Sequence, residues 1–85
     1  MNQKEKFYEQ VEIILWCIYI DRRRYINLGD FQKSVELLNI DYKRLIDVIG
    51  HLNNKGYIWI IGDKSNALFK LLPKGINHIY SSMAR

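Results

Sequence analysis

Proton transfer, metal binding and covalent catalysis need particular side chains at particular spacings, and this 85-residue sequence offers few of them. His51 and His78 are its only imidazoles, and neither has a cysteine, histidine or carboxylate partner at ligand spacing, so no metal site is expected. There is no phosphate-cradling glycine loop, no nucleophile elbow and no paired acid and base. Neither an enzyme nor a cofactor is therefore expected. The single cysteine, Cys17, excludes an internal disulfide. It lies inside the apolar run Ile13 to Ile20 and reads as a small buried hydrophobe rather than an exposed, activated thiol.

What remains is charge. Lys and Arg number 13 against 9 Asp and Glu, for a net charge of +4, and this permits an anionic partner. Positive and negative residues number 5 and 4 over 1–29, 4 and 4 over 30–56, and 4 and 1 over 57–85. The excess sits in the last third, with a local cluster at Arg22, Arg23 and Arg24. That triplet follows an apolar helical segment, where cations complement the negative end of the helix dipole. The run Ile13 to Ile20 is far shorter than the roughly 18 residues a membrane span needs, and the first residues lack the apolar core of a signal peptide. The expected location is the cytoplasm, with no membrane partner.

These charges must be held by a single domain spanning 1–85, for no repeat, low-complexity stretch or linker divides the chain. Phe7, Val11, Ile14 and Ile18 recur at helical spacing and predict a helix over 4–21. A short β-prone piece, Tyr25 to Leu28, precedes Gly29. Asp30 is the expected N-cap of a second helix, Phe31 to Leu38, with Val35 and Leu38 facing inward. After the tight connection Asn39-Ile40, Asp41 caps a third helix reaching about Lys55, with Gly56 as its left-handed terminator. Leu45, Val48, Ile49 and Leu52 form its inward stripe; Lys43, Asp47, Gly50, His51 and Asn54 project from the other side. Tyr57 to Ile61 and Ala67 to Leu72 then predict a β-hairpin with the polar tip 62–66. Pro73 stops the second strand, and Ile76, Ile79, Tyr80 and Met83 mark a short amphipathic C-terminal helix.

The order helix, strand, helix, helix, hairpin, helix resembles the winged-helix variant of the helix-turn-helix, an α+β fold with a three-helix core, a β-hairpin wing and here a short C-terminal helix. Leu52-Asn53-Asn54-Lys55-Gly56-Tyr57-Ile58 is similar to the leucine, two polar, basic, glycine, hydrophobic-pair signature with which many bacterial winged helices enter the wing. Leu72-Pro73-Lys74-Gly75 resembles the leucine, threonine, variable, glycine exit from the wing, with Pro73 where threonine is common. The likeness spans roughly residues 7 to 80 and is nearest to the MarR-like and PadR-like transcription regulators, whose additional helices this chain lacks. It implies that the third helix, 41–55, enters a major groove of double-stranded DNA while the 62–66 wing meets the minor groove or backbone.

On that reading Lys43 and Arg44 face base edges, Arg44 with the geometry for a bidentate contact to guanine, and Tyr42 reaches a phosphate or a thymine methyl. Asp47 can accept from cytosine, while His51 and Asn54 lie nearer the backbone. Lys33 and Ser34 on the second helix and Lys64, Ser65 and Asn66 at the wing tip can donate to phosphates. Asp41 and Asp47 leave the third helix neutral, which also suits a protein-interaction module, an adaptor or inhibitor of a larger nucleic-acid enzyme. The first helix carries Ile13, Trp16 and Ile20 nearly opposite its core stripe, so it must be covered twice. The expected cover is Ile76, Ile79, Tyr80 and Met83 of a second copy, giving a homodimer suited to a palindromic site; the same chain's C-terminal helix is the alternative. With no effector domain, such a regulator would act as a repressor by steric occupancy, as phage, plasmid or mobile-element regulators do.

Overall fold

The computed structural model describes residues 3–63 and 66–83. Its elements are α1 (Gln3–Asp21), β1 (Ile26–Asn27), α2 (Leu28–Ser34), a 3-10 turn (Glu36–Leu38), α3 (Tyr42–Asn54), β2 (Ile58–Ile61), β3 (Leu68–Leu71) and α4 (Pro73–Met83). Four helices thus accompany a three-stranded antiparallel sheet of order β1-β3-β2, an α+β architecture. Among the described residues no helix is long and apolar enough to cross a membrane.

Each element follows from local chemistry that the core then selects. The expected stripe of α1 is buried at Val11, Ile14 and Ile18, widened by Leu15. After Asp21 the chain turns at Arg22, whose φ of 64° is left-handed, and Arg23 clasps Asp21 with Nε at 2.6 Å and Nη2 at 2.8 Å. The second helix starts earlier than the sequence suggests. Asn27, not Asp30, is its N-cap: the Asn27 side chain accepts from the Asp30 backbone N–H at 3.2 Å. This start puts Leu28 and Phe31 one turn apart on the buried side. The helix ends at Ser34, and the tighter 3-10 turn that follows rotates Leu38 off the core, so the inward place expected for Leu38 is not taken and it is 41% exposed.

In α3 the expected cap and stop are both present. The Asp41 carboxylate accepts from the Arg44 backbone N–H at 2.8 Å, and Leu45, Val48, Ile49 and Leu52 are buried. Gly56 terminates it at φ 76°, a conformation that costs a residue with a Cβ more than it costs glycine. The hairpin pairs Ile58 with Leu71 and Ile61 with Leu68, so Ile58 and Phe69 turn inward. There the Phe69 ring meets Phe31 edge-on, centroids 5.5 Å apart. Buried side chains are all apolar among the described residues.

Pro73 serves twice, ending the strand and opening α4 at the position where its missing N–H costs nothing. Two side-chain links hold α4 to α1. His78 Nε2 lies 2.8 Å from Glu12 Oε1, and since a carboxylate only accepts, the imidazole donates there. The Tyr19 and Tyr80 hydroxyls are 3.2 Å apart. Below them Gly75 sits so close to the hairpin that a Cβ would lie 2.5 Å from the Tyr57 carbonyl oxygen and 2.8 Å from a Leu71 methyl. Gly75→Ala must push α4 away from Tyr57 and from Leu71 of β3, and we expect a loss of about 1 to 3 kcal/mol in urea unfolding; an unchanged midpoint would show that α4 and the hairpin part freely.

Candidate nucleic-acid interface

The face of α3 that looks away from the core carries Tyr42, Lys43, Asp47 and Asn54, all exposed. Gly50 lies among them with nothing within 4 Å of where a Cβ would be, leaving the middle of this face without a side chain. On one flank, an apolar hollow of about 170 Å³ separates α3 from the hairpin, lined by Ile46, Ile49, Gly50, Ile60, Gly62 and Phe69 among others. On the other, a polar cleft of about 800 Å³ runs between α2, the start of α3 and the hairpin, and includes Lys33, Tyr42 and Asn66. Lys33, Tyr42, Lys43, Asp47, Asn54 and Asn66 are therefore gathered on or beside one surface. Lys64 and Ser65 lie outside the described residues.

Three of the expected contact residues are differently engaged. Arg44 is half-buried with its guanidinium over the Phe7 ring, 5.2 Å from the centroid, so it faces α1 rather than the open side of α3. His51 is half-buried between Phe7 and Tyr8, with ring centroids at 5.6 and 5.8 Å in edge-on geometry. Both follow from helical spacing: Arg44, Val48 and His51 recur at four and three residues, and α1 packs along that line. The Ser34 hydroxyl donates to the Phe31 carbonyl at 2.9 Å, closing its own helix end. What the sequence could have signalled is the aromatic pair Phe7 and Tyr8, large enough to draw any neighbouring cation or imidazole toward α1.

Electrostatics divide this surface. The cleft holds Asp30, Glu36 and Asp41 against Lys33, and α3 offers Lys43 against Asp47. Cations are denser near β1, where Arg22 and Arg24 are exposed. Comparison with known protein families, curated proteins and solved structures returns no match. Among the described residues no group of three or more His, Cys, Asp or Glu is placed to hold a metal ion. Burial pushes the Cys17 thiol up from its ordinary value, which favours the unreactive protonated form.

The expected second-copy surface is split as well. Ile79 is 4% exposed inside the chain's own core, a correction to its expected place at a dimer interface: α4 uses it to pack on its own chain. Ile76 is half-buried, and nothing is described of the Met83 side chain. Ile13, Trp16 and Ile20 stay 39, 40 and 54% exposed and Tyr80 52%, so the same chain's α4 leaves the outer stripe of α1 uncovered.

The Asp21–Arg23 pair gives a pH dependence with a definite sign. Hydrogen bonding to Arg23 is the main cause holding the Asp21 carboxyl below its ordinary 3.8. Its contribution is complete above that value and is lost as pH falls through the lowered one. Asp21→Asn should cost at most about 1 kcal/mol at neutral pH, the pair being partly solvated. Thermal melts of the two proteins should converge in strong acid; a gap persisting there would assign the effect to something other than this ion pair.

Proposed function

We propose that the chain is a winged-helix protein that binds double-stranded DNA as a homodimer and regulates transcription by occupying its site. The observation that carries this reading is the outer face of α3, which no other element covers among the described residues and beside which the hairpin stands as a wing would. The sheet order β1-β3-β2 and the succession of elements are compatible with that layout. With Arg44 turned toward Phe7, the groove-facing side chains become Tyr42, Lys43, Asp47 and Asn54. Gly50 would let the phosphates or base edges approach the α3 backbone closely. Lys33 and Asn66 would hold the flanking backbone.

The homodimer rests on the uncovered stripe Ile13, Trp16 and Ile20, with Tyr80 at its border. Apolar surface of this kind on a small core gains by association. A second reading, a protein-interaction module, is favoured by one observation: Asp30, Glu36 and Asp41 outnumber Lys33 in the cleft beside α3. Carboxylates so placed repel phosphates and suit a basic protein surface.

Fluorescence anisotropy on duplexes from the neighbouring genome and on random duplex, over a range of salt, separates the two. The DNA reading expects tight binding that prefers the native sequence and weakens linearly in log salt, with Lys43→Ala reducing that slope by about 1 or less. Absence of duplex affinity at moderate salt would transfer the function to the protein-interaction reading. For the dimer, Trp16→Glu should convert the species seen by light scattering from two copies to one while circular dichroism is retained. A mutant dimer of unchanged mass would remove α1 from the interface.

A further inference from the structure

The outer face of the sheet has no role in the reading above, and its composition is unusual. Strand alternation turns Trp59 and Ile61 of β2 and Leu68 and Lys70 of β3 away from the core, and Trp59 is 49%, Ile61 44% and Leu68 39% exposed. Lys70 is paired across the ladder with Trp59, its ammonium 5.4 Å from that ring. On its other side the same ammonium is 5.5 Å from the ring of Tyr25, the residue before β1, itself 39% exposed. The Arg24 guanidinium lies 5.9 Å from the centroid of the Tyr25 ring. Across the strands one cation, Lys70, thus lies between two rings, and a second is beside Tyr25. The residues just named include no carboxylate.

We propose that this face is a stacking platform for single-stranded nucleic acid, with two unpaired bases on Trp59 and Tyr25 and the intervening phosphate on Lys70. Two strand spacings separate the rings by about 10 Å, and the cation lies between them, where an extended strand carries its phosphate. A duplex cannot use such a surface except at its ends, because its base faces are already stacked. A second copy of the chain is a poor occupant, since opposing two such faces would bury Lys70 and Arg24 against their own counterparts without a counter-charge. An acidic peptide would satisfy the cations and leave the rings without a flat partner. The platform involves none of the α3 residues and stands apart from the duplex-binding reading.

The test uses the full chain carrying Trp16→Phe, in which Trp59 is the only tryptophan. Addition of a twelve-residue oligothymidylate should quench Trp59 emission by about half or more, because a stacked base quenches indole on contact. With a labelled oligothymidylate, Trp59→Ala should bind at least about tenfold more weakly, Trp59→Phe within about threefold of the parent, and Lys70→Gln about fivefold more weakly and with a shallower salt slope. Circular dichroism confirms that each variant is folded. Lys43→Ala should leave this binding untouched whatever it does to duplex affinity, so the two surfaces are distinguished. Lack of quenching at micromolar protein, equal quenching by polyglutamate, or unaltered binding by Trp59→Ala would each overturn the proposal, as would a Trp59 signal that changes only with protein concentration.

Discussion

The register of β3 is the constraint on which the rest of the molecule depends. This strand pairs with β1 and β2 at once, and Phe69 stands opposite Ile26 on one side and Ile60 on the other. Its ring enters the core against Phe31, and so fixes where α2 sits relative to the sheet. A slip of one residue would send Phe69 to solvent and Lys70 among fully buried residues that are all apolar among the described residues. Desolvating that ammonium costs far more than the slip can return, so a four-residue strand is held in one alignment.

From that alignment the other contacts follow in a chain. The sheet backs α3 through β2, α3 lies on α1, and α1 receives α4. The two junctions on α1 carry polar or aromatic groups at the rim: Arg44 on Phe7, His51 on Phe7 and Tyr8, His78 on Glu12, and Tyr80 on Tyr19. α1 is therefore a shared wall. Side chains that a free α3 would offer to solvent are claimed by it.

The sequence made most of the skeleton legible because the signals there are local. Asp41 and Gly56 mark the ends of α3 through cap chemistry that needs no tertiary knowledge, and Pro73 marks the joint between strand and helix in the same way. The start of α2 was less legible. Asn27 and Asp30 are both good caps three residues apart, and only the burial of Leu28 decides between them. The candidate site was half legible for a related reason. Helical periodicity assigned Lys43, Asp47, His51 and Asn54 to an outer face, yet His51, like Arg44, lies on its border, where the rings that claim them are 37 or more residues away in sequence. The hairpin was readable too, but its two nearly all-apolar strands carry no alternation to say which side faces out, and no local pattern gives that Tyr25, from before β1, arrives beside Lys70 and Trp59.

Lys70 also bears on how the molecule behaves in a crowd. Two apolar surfaces, the outer stripe of α1 and the outer face of the sheet, point away from one core on different elements. Two dissimilar sticky faces on one body invite head-to-tail association, which grows into filaments unless its rotation closes a ring, whereas a single self-complementary face ends at a pair. A lysine planted in the centre of one of the two faces makes that face reluctant to lose its water to another copy.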